Sequence, residues 1–153
     1  MRKPLVILGS ILISIIILSV IIYWRYMYTT TLAENVKLNE NIKLTVSSSS
    51  VIDFRNATDF DWDEMFIIPP YGIPKDILKE HNIKWVNINR SIESSDMINM
   101  IIFTNKGHII SYVLYKRADG DFNNKGAIEL NKDTAIFDIA KSNDRIILVQ
   151  KTH

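Results

Sequence analysis

The longest apolar stretch of the chain covers residues 5–24, LVILGSILISIIILSVIIYW. It contains no charged residue, and only one glycine and three serines interrupt it. About 20 apolar residues in a helix, at about 1.5 Å per residue, match the roughly 30 Å hydrocarbon core of a bilayer. The pattern therefore predicts a transmembrane helix, with the lipid bilayer as the partner of residues 5–24.

Charged and aromatic residues at the ends of this stretch predict how it inserts. Arg2 and Lys3 precede it and only Arg25 closely follows it, which favours a cytoplasmic N-terminus. The aromatic residues typical of a membrane interface cluster at its far end: Tyr23, Trp24, Tyr26 and Tyr28. The run exceeds a signal-peptide core of about 7–15 residues, and the nearest cleavage candidate, residues 31–33, is distant. We expect residues 1–27 to form an uncleaved signal-anchor, and the C-terminal domain to be extracytoplasmic.

Residues 28–50 are polar and rich in threonine, asparagine and serine. The serine run at 47–50 is typical of a flexible linker. Ile42, Leu44 and Val46 alternate with polar residues, which is also the pattern of a first, edge strand. We expect a polar stalk here, with its last part either a strand or a tether.

From residue 51 onward most of the pattern is that of β-strands. Strand-like runs cover residues 60–68, 97–104, 108–116, 127–130, 134–140 and 145–150. Residues 105–107 and 141–144 have the composition of hairpin turns. One short helix is predicted from Pro74 to about His81, with proline in its first turn. The predicted fold class of residues 51–153 is α+β, a small antiparallel sheet of five to six strands with one short helix.

Two of these runs, residues 101–103 and 146–149, are apolar at consecutive positions. Such runs are typical of central strands that are covered on both faces. One short helix covers little surface, so we expect a loop or a partner to cover the rest.

Composition excludes several classes of chemistry. The chain has no cysteine, which excludes disulfides, thiolate catalysis, zinc–thiolate sites and lipid attachment through cysteine. Its 18 basic and 17 acidic residues give a net charge of +1, and this balance argues against a nucleic-acid partner.

The acidic residues Asp59, Asp61 and Asp63 match the beginning of a calcium-binding loop, D-x-D-x-D. A complete loop has glycine at its sixth position and glutamate at its twelfth, where this chain has Glu64 and Pro70. The intervening aromatic residues favour a strand with one solvated face over a metal site.

The histidines and the remaining charged motifs do not form a recognisable site. His81, His108 and His153 lie far apart, without the spacing of a zinc motif. No nucleophile elbow, P-loop or dinucleotide fingerprint is present. Residues 119–121 read as a turn, and the pair Lys116-Arg117 is too small to argue for anion binding. The sequence predicts no catalytic, cofactor-binding or metal-binding residue.

Residues 62–71, WDEMFIIPPY, form a W-D-x-hydrophobic run that closes in Pro-Tyr before the predicted helix. With the hairpin at 98–115 and the Asp-Gly loop before the last strands, this run resembles uncharacterised bacterial proteins that carry an N-terminal lipoprotein signal or membrane anchor. The resemblance covers residues 59–149, but the chain lacks the lipobox cysteine. It implies an extracytoplasmic location and a compact domain, and no activity. Trp62 is expected to fill the core, while residues 69–71 form the turn into the helix.

These observations favour a non-enzymatic, single-pass membrane protein whose small domain binds a protein or a cell-envelope partner. Two alternatives stay open. One is an envelope metal-dependent hydrolase that uses Asp59, Asp61, Asp63 and His108. The other is an immunity or inhibitor protein that neutralises a toxin.

Overall fold

The computed structural model of the chain describes residues 3–142 and 144–151, with the side chains of residues 3–10 and 27–30 outside the description. The chain divides into two units, Met1–Thr31 and Leu32–His153.

The first unit is the single helix α1 (Lys3–Thr30), which has 28 residues. Its large apolar side chains between Ile11 and Tyr26 are exposed. The predicted span 5–24 falls within this helix, and the side chains of residues 5–10 lie outside the described part. In the part of the chain that the structure describes, no helix is long and apolar enough to cross a membrane. The membrane anchor is thus unconfirmed and stays a prediction.

The described part of the second unit contains two four-stranded sheets, three α-helices and two short 3-10 helices, Ser91–Ser94 and Arg117–Asp119. In chain order its elements are α2 (Val36–Ser48), β1 (Val51–Asp53), α3 (Phe54–Ala57), β2 (Glu64–Ile68), α4 (Pro74–Glu80), β3 (Ile98–Asn105), β4 (His108–Lys116), β5 (Asp121–Phe122), β6 (Ile128–Asn131), β7 (Ile136–Ser142) and β8 (Arg145–Gln150). The first sheet has the order β4-β3-β2-β6 and is antiparallel throughout. The second has the order β1-β7-β8-β5, in which β5 pairs parallel to β8.

The α+β class is confirmed, but the prediction of one sheet with one helix is wrong. Both predicted hairpins form, as β3–β4 and β7–β8, and α4 is the predicted short helix. The hairpins belong to different sheets, because β2 and β6 join the first hairpin whereas β1 and β5 join the second. Strands β1 and β5 are three and two residues long, too short to give an alternating pattern.

The first sheet is covered on both faces. From its central strand β3, Ile101 and Phe103 enter a core shared with the second sheet, α2 and α3. Met100 and Ile102 enter a second core, which α4 and residues 83–92 cover. The expectation of a strand covered on both sides is therefore confirmed for residues 101–103.

The same expectation is wrong for residues 146–149 of β8. Leu148 is buried and Ile146 packs against the first core, but Ile147 and Val149 are exposed on the outer face of the second sheet. Antiparallel sheets commonly leave one face in solvent, and this sheet does so.

Helix α2 corrects the prediction of a stalk at 28–50. Leu38, Ile42 and Val46, spaced four residues apart, are buried in the first core, whereas Leu44 is 63% exposed. The Asn35 side chain accepts a hydrogen bond from the backbone N–H of Leu38 and caps the helix. Residues 36–48 are therefore a core helix, and neither a strand nor a spacer.

Residues just before α2, together with Asn39 within it, cover the edge strand β4 of the first sheet. The Asn35 N–H donates to the Tyr112 carbonyl at 2.9 Å, and Glu34 Oε1 accepts from the Leu114 N–H at 3.1 Å. Asn39 Nδ2 donates to the Leu114 carbonyl at 3.0 Å. The free backbone groups of an edge strand can pair with another chain. These contacts occupy the Tyr112 carbonyl and both backbone groups of Leu114 on the edge strand β4.

Candidate interaction surface

A groove of 370 Å³ opens on the second unit beside the start of β8. Its lining residues are Met97, Arg117, Ala118, Asp121, Asp144, Arg145, Ile146 and Ile147. Met97 is 62% exposed and Ile147 is 36% exposed, so the groove presents apolar side chains to solvent. Four of the eight lining residues are arginine or aspartate, so the groove combines apolar side chains with charged ones.

A polar network supports one side of the groove. Asn99, buried in β3, donates from Nδ2 to Asp121 Oδ1 at 3.0 Å. Arg117 donates to the other oxygen of Asp121 and, at 2.9 Å, to the Asp96 carbonyl. Burial alone would raise the pKa of Asp121, but the hydrogen bonds from Arg117 and Asn99 outweigh it and lower that pKa. Asp121 is therefore an anion held in a fixed position.

The turn before β5 places this aspartate. Gly120 has φ +151°, a conformation that favours glycine, and an added Cβ would lie 3.1 Å from Tyr115 Oη. Tyr115 Oη donates to the Asp119 carbonyl at 3.0 Å, and burial raises the pKa of Tyr115. The predicted turn at 119–121 is confirmed, as the end of a 3-10 helix at Arg117–Asp119.

Arg145 is an exposed cation of the groove, as is Arg117. It begins β8, opposite Ser142 in the hairpin. Within the described residues its guanidinium has no hydrogen bond or ion pair. The carboxylate of Asp144 lies next to it in sequence and also lines the groove. The groove can thus hold an apolar side chain beside a charged or hydrogen-bonding group.

Further apolar residues continue this surface over the outer face of the second sheet. Val51, Asp138 and Val149 lie opposite one another across three strands, and Ala140 lies opposite Ile147. Val51 and Val149 are exposed. We call Val51, Ala140, Ile147 and Val149 the apolar patch. The exposed carboxylate of Asp138, which pairs with Lys151 at 3.4 Å, lies within it, between Val51 and Val149. The apolar character of residues 146–149 follows from the sequence, whereas the register of β8 decides which of them face outward.

The three aspartates of the calcium-like motif separate in the structure. Asp59 pairs with Lys37 of α2 at 2.9 Å, and Asp61 pairs with Lys132, which follows β6. The hydrogen bonds from these lysines lower the pKa of both aspartates. Residues 59–63 precede β2, so the predicted strand at 60–68 begins only at Glu64.

Asp63 and His108 each contact the backbone of Lys106, in the turn between β3 and β4. The Asp63 carboxylate accepts backbone hydrogen bonds from Glu64 and, at 2.6 Å, from Lys106. His108 Nδ1 lies 2.9 Å from the Lys106 carbonyl, and His153 lies outside the described residues. Across residues 3–142 and 144–151, no group of three or more histidines, aspartates and glutamates is arranged to hold a metal ion.

Trp62 lies in the core, as predicted from the sequence. It is 1% exposed, its ring centroid lies 5.4 Å from that of Phe103, and its Nε1 donates to Thr58 Oγ1 at 3.0 Å. Residues 69–71 form the expected turn, in which Tyr71 has φ +63°.

A second polar cluster, which the sequence analysis missed, lies at the β6 edge of the first sheet. Glu129 of β6 is opposite Phe66 of β2 and on the same face as Glu64. His81, which follows α4, places Nδ1 2.8 Å from Glu129 Oε2 and packs its ring edge-on against Phe66. Thr104 Oγ1 donates to Glu64 Oε2 at 3.4 Å. These residues are far apart in sequence, and only strand register could have indicated the cluster.

The charges of this cluster shift the pKa of Glu64. Burial, followed by the negative charges of Glu129 and Asp63, raises the pKa of Glu64. Thr104 and His81 act in the opposite direction but do not cancel the effect.

Comparison with protein-family models, with curated proteins and with solved structures finds no match for this chain. The resemblance of residues 59–149 to anchored bacterial proteins stays a prediction. Function is therefore argued from the chain's own geometry.

Proposed function

We propose that this chain is a non-enzymatic, single-pass membrane protein that is anchored by residues 5–24. Its second unit is extracytoplasmic and binds a protein or a cell-envelope component through the groove and the apolar patch. The observation that carries the proposal is the exposed apolar surface of α1 from Ile11 to Tyr26. A helix that is apolar all round needs a protein core or a lipid environment around it.

The length of α1 is the second support for a membrane anchor. Its 28 residues at about 1.5 Å each are longer than a hydrocarbon core of about 30 Å. We therefore propose the bilayer as the partner of its exposed apolar side chains.

The form of the groove supports binding of a partner. Its apolar side chains and its charged groups suit an extended segment of that partner. The hydrolase alternative gains no support, because Asp59, Asp61 and Asp63 bind different partners.

Cysteine labelling tests the location. The chain has no cysteine, so one introduced thiol gives an unambiguous signal. Lys125→Cys, in the exposed loop before β6, should react with a membrane-impermeant maleimide in intact cells. Ser14→Cys, within α1, is the matched control and should react only after the membrane is dissolved and the protein denatured. Labelling of Lys125→Cys only after permeabilisation would refute the external location.

Site-specific crosslinking tests the surface. A photoreactive amino acid at Met97, 62% exposed in the groove, should give a defined adduct with the partner. The same amino acid at Leu44, 63% exposed on α2, is the control and should not. Ile147→Asp should abolish the Met97 adduct. Equal adducts at both positions, or none at Met97, would contradict binding through the groove.

A further inference from the structure

The turn between β2 and α4, residues 69–73, presents two large apolar side chains to solvent. Tyr71 is 61% exposed and Ile73 is 46% exposed. Tyr71 is also the last residue of the run WDEMFIIPPY, whose other end, Trp62, lies in the core. We call residues 69–73 the Pro-Tyr turn.

The Pro-Tyr turn is held firmly at both ends. Ile68, the last residue of β2, and Pro74, the first residue of α4, are both buried. The two consecutive prolines fix φ at their own positions, and a Cβ at Gly72 would collide with Cγ2 of Ile68. The turn therefore has little conformational entropy left to lose when its exposed side chains bind.

Tyr71 adopts a backbone conformation that bulky residues rarely adopt. Its φ is +63°, in the left-handed region that glycine and asparagine occupy more easily. A hydrogen bond from the Tyr71 N–H to the Ile92 carbonyl, at 3.0 Å, holds it there. Strained positions of this kind cluster at sites of binding. What the exposed ring contacts therefore explains a tyrosine here better than the folding of the turn does.

The backbone of the turn has few hydrogen-bond donors to desolvate. Pro69 and Pro70 have no N–H, the Tyr71 N–H is paired as above, and the Gly72 N–H donates to the Pro69 carbonyl at 3.1 Å. Hydrocarbon penalises unpaired backbone groups most strongly, so this arrangement suits an apolar phase. A protein partner normally uses such groups, because protein interfaces carry about one hydrogen bond per 100–200 Å².

We propose that the Pro-Tyr turn inserts into the surface of the bilayer that holds residues 5–24, with Ile73 among the acyl chains and the Tyr71 ring at the headgroups. Tyrosine favours this level because its ring is apolar and its hydroxyl is polar. Two side chains bind a membrane weakly, so the contact depends on the high effective concentration that the anchor provides. The inference thus rests on the proposed membrane location and adds a second point of contact.

Quenchers attached to lipid test this contact on the full chain in phosphatidylcholine vesicles. Because the chain has no cysteine, Lys75→Cys, exposed in the first turn of α4, can carry one environment-sensitive fluorophore. Interfacial apolar groups lie about 5–10 Å deep, so nitroxides on the acyl chains should quench this probe about threefold more than a probe on Leu44→Cys. Leu44 is the matched control, since it is 63% exposed and α2 packs on the opposite face of the first sheet from α4.

A double variant of the turn gives the decisive comparison. Tyr71→Asn with Ile73→Ser should lower the quenching at residue 75 to the level at residue 44. The melting temperature should not fall, because asparagine tolerates a positive φ and serine is a favoured N-cap at position 73. Equal quenching at the two sites in the unmodified chain, or unchanged quenching in the variant, would overturn the proposal. A probe at residue 75 that is shielded from water but not quenched by the lipids would also overturn it, in favour of a protein contact.

A probe on Ser14→Cys, within α1, separates this inference from the proposed anchor. Quenching at residue 14 without quenching at residue 75 would retain the anchor and overturn the contact. Quenching at neither residue would overturn both. Quenching at residue 75 alone would retain the contact and overturn the anchor.

Discussion

Replacing Ile42 by alanine tests the place of α2 in the fold. Ile42 is fully buried in the first core, on the helix face that also carries Leu38 and Val46. If residues 36–48 were a flexible spacer, this change would leave the stability of the domain unaltered. The structure instead makes it one of the more damaging substitutions in the chain.

The expected loss follows from the volume removed. Isoleucine to alanine deletes about three methylene equivalents, at about 0.8 kcal/mol each, which gives about 2.4 kcal/mol. The cavity left behind adds to this, so we expect about 3 kcal/mol, within the range of about 2–5 kcal/mol for such changes in cores. At about 4 °C per kcal/mol for a domain near this size, the melting temperature should fall by about 12 °C.

The measurement is equilibrium urea unfolding of residues 32–153, followed by tryptophan fluorescence. Trp62, which is buried, reports the loss of the core. Leu44→Ala is the matched control, because Leu44 lies on the exposed side of the same helix and should change stability by less than about 0.5 kcal/mol. Equal stabilities of the two variants would refute the packing of α2 against the sheets.

Three further predictions concern a titration, a turn and the groove. Because the pKa of Glu64 is raised in the folded state, its ionisation lowers stability as pH rises, so Glu64→Gln should raise the melting temperature at pH 8 and have no effect near pH 3. Gly72→Ala should cost about 1–3 kcal/mol in urea unfolding, since its Cβ would come within 3.0 Å of a backbone oxygen, whereas Gly126→Ala has no neighbour within 4 Å and should be neutral. Arg117→Gln should raise the pKa of Asp121, because burial is then opposed only by the hydrogen bonds from Asn99 and from the Phe122 backbone, as a carboxyl NMR titration would measure.

Each of these three has an outcome that contradicts it. A stabilising effect of Glu64→Gln that persists at pH 3 would show that its cause is packing and not charge. Equal costs of Gly72→Ala and Gly126→Ala would mean that the turn after Pro70 relaxes freely. An unchanged pKa of Asp121 in Arg117→Gln would show that the arginine does not lower that pKa.

Local pattern alone was sufficient for several elements. Strong alternation and turn chemistry predict both hairpins, and proline at a first helical turn predicts α4. The aromatic Trp62 was expected in the core and lies there. These features depend on neighbours within a few residues, which is the range over which turn geometry and side-chain period act.

Tertiary structure alone decided the rest. Residues 42, 44 and 46 fit a strand as well as a helix, and only packing of Leu38, Ile42 and Val46 against the sheets selects the helix. The groove and the contact between His81 and Glu129 join residues that are up to about fifty positions apart. Strand register sets which side chains share a face, and it depends on partners that are distant in the chain. The opening apolar stretch, by contrast, predicts its membrane role from sequence alone, since continuous hydrophobicity over 20 residues needs no tertiary partner to be recognised.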